Sequence, residues 1–457
     1  MMGMGQKGQP KVTKLLSGRS ARKVARHMGR TVEEVAPVLR WSTTAATAGV
    51  VVGSLVAGTI SGLASVFART VVTPVKNHAE DLEILAVVSV KNVAHSQEII
   101  LPATEETTVP GTYSLVFDGG RGVARIGRIT SFDPADGTVQ RVVEEVYSGD
   151  LANALRGRWT GFIYPTPADM GFDAEDVAIP VERGSAPAWL VRPEAGGRHV
   201  HEDQVSVSAN TWAIMVHGRG ARRPEGIRAI ATARAMGMTS LLISYRNDGE
   251  APSADDGKYG LGATEWRDVE AAIQYALDHG ADEIVLFGWS MGAAVCLQLT
   301  DRSKLAPRVA ALVLSGPVIN WIDVLAHQAR LNRLPEAVGR LGQYMITSRA
   351  GRRITGLAAP VDLKTMDWVS RADQLRVPTL ILHSEDDTYV PVGPSLQLAQ
   401  KNPSLVTFVR FTQARHTREW NVDPERWDTA VRVWLKSTFS SPRPGMQALE
   451  VAQDAPV

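Results

Sequence analysis

A serine held between two glycines, Gly288-Trp289-Ser290-Met291-Gly292, lies directly behind the apolar run EIVLFG (283–288) and ahead of the helical segment AAVCLQL. A sharp strand-to-helix turn at that point lifts the hydroxyl above the edge of a sheet. Gly288 and Gly292 leave room for the turn and for close packing, and the N-terminus of the following helix favours negative charge developing beside it. A serine hydroxyl is a weak nucleophile until a base takes its proton. His416, in Ala414-Arg415-His416-Thr417 behind the run LVTFVRF (405–411), is placed to act as that base. Glu385-Asp386-Asp387, behind PTLILHS (378–384), offers a carboxylate to orient the imidazole. Each group follows a strand. The chain order serine, carboxylate, histidine separates this set from the chymotrypsin-like and subtilisin-like orders.

The elements that must position these residues begin at 211. TWAIMV (211–216), TSLLISY (239–245), EIVLFG (283–288), VAALVLS (309–315), PTLILHS (378–384) and LVTFVRF (405–411) are runs of the kind that form strands buried on both faces. Helical stretches fall near 224–236, 264–279 and from 291. The alternation predicts an α/β fold, a mostly parallel sheet with helices on both faces. VAIPVERGSAPAWLV (177–191) reads as a hairpin that opens the sheet antiparallel. Residues 316–376 include INWIDVLAHQARLNRLPEAVGRLGQYM, with amphipathic helical spacing, and are expected to form a small lid over the serine. Trp321, Leu325 and Leu331 are candidates to line a pocket there, with core packing an equal alternative. Upstream, LEILAVVSV (82–90), GTYSLVF (111–117), VARIGRITSF (123–132) and TVQRVVEEVY (138–147), separated by turn clusters, predict a small β-rich domain over 80–175.

Several of these segments resemble the α/β-hydrolase fold family of serine hydrolases. His217-Gly218-Arg219-Gly220, after the first buried strand, looks like the family's HG-x-G oxyanion loop. LHSEDDTYVP (382–391) is similar to its His-Gly-x-x-Asp-x-x-Val-Pro segment, with Ser384 in place of the glycine. That alignment places the acid at Asp387, with Asp386 as the alternative. The resemblance spans roughly 175–437. YGLGATEWRD (259–268) and HTREWNVDPERW (416–427) resemble bacterial, especially actinobacterial, membrane-linked hydrolases, and there is a likeness to the prolyl-oligopeptidase-like branch without its propeller. It implies Ser290, Asp387 and His416 as the catalytic set, with the backbone N–H groups of Arg219 and Met291 holding an oxyanion and His217 shaping the loop. The expected activity is carboxylesterase- or lipase-like cleavage of an acyl ester through an acyl-enzyme on Ser290. A peptidase or acyltransferase using the same residues, or a non-catalytic envelope protein that kept the fold, are the alternatives. No cofactor or metal is expected.

Charge is uneven along the chain. The net charge of +1 argues against nucleic-acid binding by the whole protein, but residues 1–40 hold nine Lys/Arg against Glu33 and Glu34. Trp41 to Ala68 then has no charged residue and is closed by Arg69. A run of this length predicts a transmembrane helix over 41–68, poor in Leu and rich in small residues. The basic flank would stay cytoplasmic, making this a single-pass protein of the cell membrane with its hydrolase domain extracytoplasmic. The expected organisation is a basic tail (1–40), a membrane helix (41–68), a β-rich domain (80–175), the hydrolase domain (176–437) and a flexible tail (438–457). The substrate would be a small-molecule or lipid-like acyl compound. His199 and His201 beside Glu202 and Asp203 could bind metal or form a solvated loop. His383 reads as a satisfied core residue, and Cys296, the only cysteine, as a buried spacer. Glu265 and Asp268 read as first-turn acids without a catalytic role.

Overall fold

A computed structural model describes residues 49–76, 78–90, 97–193 and 210–440, and the side chains from 58 onward. The basic tail 1–40, the His199–Asp203 segment and residues 441–457 lie outside the described residues. The chain divides into two compact units. The first contains residues 80–108 and 115–159; the second contains 46–79, 109–114 and 160 onward.

The first unit is built on strands β1 (Leu82–Glu83), β2 (Ala86–Ser89), β3 (Gln97–Pro102), β4 (Tyr113–Phe117), β5 (Gly122–Asp133), β6 (Thr138–Ser148) and β7 (Arg156–Thr160), in the sheet order β1-β7-β4-β5-β6-β3-β2. Alternate positions such as Ile99, Leu101, Leu115, Phe117, Ala124 and Ile126 turn to one face and form its core. Arg141 is buried within this unit and donates to the carbonyls of Gly127 and Thr107, both at 2.8 Å.

The second unit carries an eight-stranded sheet. Its strands are β8 (Glu175–Val181), β9 (Gly184–Val191), β10 (Thr211–Val216), β11 (Thr239–Ile243), β12 (Glu283–Trp289), β13 (Val309–Ser315), β14 (Thr379–Ser384) and β15 (Val406–Phe411), in the order β15-β14-β13-β12-β10-β11-β9-β8. β8 and β9 pair antiparallel at one edge, and β10 to β15 run parallel. Every residue of β10, β13 and β14 is buried, as the continuous apolar runs require of strands covered on both faces. β10 has β11 on one side and β12 on the other. The winding therefore reverses at β10, and the crevice beyond the carboxyl ends of β10 and β12 is where an open sheet of this kind binds its ligands.

The expectation of a membrane span over 41–68 is corrected here. The helix runs Gly49–Val72, past the arginine that was to close it, and belongs to the second unit. Ala64, Phe67, Ala68 and Val72 are buried in the core of that unit with Val338, Met345 and Ile346 of the helix Glu336–Thr347. The small residues that weaken the stretch as a membrane helix let it lie close against protein. Among the described residues no helix is long and apolar enough to cross a membrane.

The segment 316–376 folds into the helices Trp321–Leu331, Glu336–Thr347 and Arg352–Thr355. Asn320 caps the first by accepting from the N–H groups of Ile322 and Asp323. The last helix, Pro424–Ser440, continues into the stretch expected to be a flexible tail.

Candidate active site

β12 ends at Trp289, and Ser290 follows with φ of 51° and ψ of −115° before the helix Met291–Arg302 begins. A non-glycine residue in that region is strained and persists only where its surroundings over-determine it. The two glycines permit the turn by closeness. A Cβ on Gly288 would stand 2.7 Å from the Ala293 Cα, and one on Gly292 would be driven into the carbonyl oxygens of Val216 and His217. The Ser290 N–H donates to the Ser315 carbonyl at 3.1 Å, and its own carbonyl accepts from Val318 at 3.2 Å.

Ser290, His416 and Asp387 come together in one hydrogen-bonded line. His416 Nε2 stands 2.9 Å from Ser290 Oγ, and His416 Nδ1 2.7 Å from Asp387 Oδ2. A carboxylate only accepts, so Nδ1 carries the proton and Nε2 is left to accept from the hydroxyl. Asp387 Oδ1 accepts the N–H groups of Tyr389 and Val390, both at 2.8 Å. Burial alone would raise the Asp387 carboxyl, but the His416 charge beside it and hydrogen bonds from His383 and His416 hold it well below the usual carboxylate range. Burial also opposes charge on His416, yet the neighbouring Asp387 carboxylate raises its proton affinity above the ordinary histidine value.

Asp386 has a different task. Its Oδ1 accepts from Ser384 Oγ at 2.5 Å and from the Arg415 N–H at 2.9 Å, while the Ala414 N–H donates to Ser384 Oγ at 2.9 Å. Ser384, the departure from the family's glycine, thus helps to pin the loop that carries His416. That loop is tight: Arg415 has φ of 60° and Thr417 φ of 54°. Gly316, just after β13, makes space for it, since a Cβ there would lie 2.9 Å from Thr417 Cγ2 and 3.5 Å from His416 Nδ1.

Met291 follows Ser290 directly in the chain, and Arg219 lines the same cavity as the serine. Among the described residues neither backbone N–H has a protein acceptor. His217 lies beneath this loop, its ring bridging the Gly218 carbonyl at 3.0 Å and the Asp248 carboxylate at 3.1 Å and stacked on Tyr245 at 4.2 Å. Glu265 is buried and accepts from the N–H groups of Gly260 and Gly262, and Asp268 holds Arg246 through both oxygens. Both are structural. Cys296 is buried, which pushes its thiol well up.

Two neighbouring groups, Glu225 and Arg228, went unread in the sequence, and a third, His383, reads there only as core. His383 does sit in the core, but its Nε2 faces Asp387 Oδ2 at 3.1 Å while its Nδ1 meets Ser395 Oγ at 2.9 Å, so it also steadies the acid. Glu225 accepts the Gly218 N–H at 2.6 Å and pairs with Arg228 at 3.1 Å. Arg228 in turn donates to the Thr417 carbonyl at 2.6 Å, so one buried ion pair links the Gly218 loop to the His416 loop. The i, i+3 spacing of Glu225 and Arg228 was visible in the sequence; their burial was not.

Beside Ser290 opens a cavity of about 340 Å³. Its lining is mainly apolar and includes Trp321 and Leu325, while the third candidate, Leu331, stays exposed and Leu334 takes a place in the wall.

The reversing parallel sheet, with its serine on the turn after β12 and a histidine and an aspartate on the loops after β15 and β14, defines the α/β-hydrolase fold. Residues 213–436 match the Alpha/beta hydrolase family, and residues 86–160 match a domain of unknown function, DUF8805. Among solved structures, the chain is similar to an esterase of Pyrococcus furiosus at 20% identity, covering 60% of this chain and 94% of that one with a TM-score of 0.44. It is similar to a thermophilic esterase of Thermogutta terrifontis at 20% identity, covering 58% and 100% with a TM-score of 0.40. A third similarity is to an esterase from Rhodococcus at 16% identity, covering 58% and 99% with a TM-score of 0.38. No curated protein matches the chain.

Proposed function

We propose that this protein is a serine hydrolase that cleaves an acyl ester through an acyl-enzyme on Ser290. The observation that carries the reading is the unbroken line from Ser290 Oγ through His416 to Asp387, at 2.9 and 2.7 Å, opening on an apolar cavity. His416 takes the hydroxyl proton as Ser290 attacks the carbonyl carbon and then returns it to the leaving alcohol. Asp387 keeps the imidazole in the productive tautomer and stabilises its positive form. The N–H groups of Arg219 and Met291 hold the oxyanion of each tetrahedral intermediate. Water, deprotonated by His416, releases the acid and restores the serine.

A fluorophosphonate probe tests this directly. The full chain should be labelled covalently at Ser290 and should turn over p-nitrophenyl esters, and Ser290→Ala should lose both. Labelling that persists in Ser290→Ala, or a native protein that neither labels nor turns over any ester, overturns the assignment.

A further inference from the structure

The helix Gly49–Val72 does more than cover the core. Leu63, Val66 and Phe67 line the cavity that holds Ser290, together with Val318, Trp321 and Leu325. Phe67 is seated where Gly342 leaves space, since a Cβ at 342 would lie 2.7 Å from the Phe67 ring. Leu63 and Val66 are 40% and 64% exposed, so they border the mouth of the cavity as well as its wall.

The C-terminus of this helix is fastened to the oxyanion loop itself. The Arg219 guanidinium donates to the carbonyls of Val71 at 3.0 Å and Thr73 at 3.2 Å, and also to that of Thr70. Lys258 reaches Thr73 Oγ1 at 2.8 Å, and the Tyr259 N–H donates to the Val72 carbonyl at 2.8 Å. Two cations thus meet the negative end of the helix dipole, where such charges are favourable. One residue, Arg219, therefore joins the wall of the cavity to the loop beside the serine.

We propose that this helix is the acyl-binding wall of the active site, and that the substrate is an ester of a linear, apolar acyl chain of medium length. The proposal rests on the serine hydrolase reading above. A cavity of about 340 Å³ is at the small end of ligand sites, which run from about 300 to 1,000 Å³. It suits one flexible chain better than a bulky multi-ring acyl group. Each methylene buried against Leu63, Val66 and Phe67 should raise kcat/KM about fourfold until the cavity is full.

The test compares p-nitrophenyl acetate, butyrate, octanoate and dodecanoate on the full chain and on Val66→Trp, Phe67→Ala and Ser61→Trp. Ser61 is exposed on the same helix and outside the cavity lining. The native enzyme should prefer octanoate to acetate. Val66→Trp should lower the octanoate-to-acetate ratio of kcat/KM at least tenfold by filling the cavity. Phe67→Ala should shift the optimum to a longer chain, and Ser61→Trp should keep the native ratio. Fluorophosphonate labelling and thermal unfolding identify any variant that has failed to fold. A protein that labels and turns over esters, with the same chain-length profile in folded Val66→Trp and Phe67→Ala, overturns this proposal alone. A native protein that neither labels nor hydrolyses any ester overturns the reading of the site, and this proposal with it.

Discussion

Neighbouring aspartates illustrate how position decides chemistry at the scale of single residues. Asp387 touches His416 and Asp386 holds the loop beneath it. Asp387→Asn should therefore lower kcat by about 10³-fold or more, because the amide favours the wrong imidazole tautomer. Asp386→Asn retains an acceptor for the Arg415 N–H and should lose about tenfold at most. Steady-state kinetics on the two variants separates them. The pH profile follows from the same contact. Asp387 raises the proton affinity of His416, so the base stays protonated to a higher pH than an ordinary histidine. Activity should fall as pH drops through that raised value, and the acid limb of the kcat/KM profile should move to lower pH in Asp387→Asn.

Between elements, two arginines connect the loops that surround Ser290. Arg219→Ala keeps the backbone N–H but releases the loop from the helix Gly49–Val72. Its kcat should fall about tenfold, less than the ~10²–10³ of a lost oxyanion donor, with KM for acetate esters changing less. Arg219→Lys should recover part of the loss. Arg228 is a matter of stability. Arg228→Met leaves the Glu225 carboxylate buried beside Gly218 without its cation, which should cost about 3–5 kcal/mol in urea unfolding. Adding Glu225→Gln removes the stranded charge and should restore part of that loss.

For the molecule as a whole, the buried acid that bears on pH-dependent stability is Glu419. It is 1% exposed, and neither carboxylate oxygen has a hydrogen-bond partner among the described residues. Burial, reinforced by the negative charge of Asp387, raises its pKa to about 8, so the folded protein holds it protonated at neutral pH. A carboxyl raised on folding contributes stability that is whole below its unfolded value near 4.5 and is lost as pH rises through about 8. The melting temperature should therefore decline between pH 5 and pH 9, with stability falling by roughly 1.4 kcal/mol per pH unit at most from this group. Glu419→Gln should flatten the decline, melting higher than the native protein at pH 9 and close to it at pH 4. Equal slopes in the two proteins would remove Glu419 as the cause.

Read alone, the sequence determined the parallel sheet, the edge hairpin and the places of Ser290, Asp387 and His416. Continuous apolar runs mark doubly covered strands, and the glycines around Ser290 are demanded by backbone contacts within a few residues of it. Such signals are local, so one chain carries them in full. What only the tertiary structure decided depends on packing partners distant in sequence. An uncharged run such as 41–68 satisfies a bilayer and a protein groove alike; the facing helix Glu336–Thr347, with Gly342 opening a seat for Phe67, is what makes part of it core. The ion pair of Glu225 and Arg228 is no more than an i, i+3 spacing in the sequence; burial is what places it between the Gly218 and His416 loops. Likewise, Arg219 showed only its place in a loop, because the carbonyls its side chain holds belong to a helix that ends nearly one hundred and fifty residues earlier.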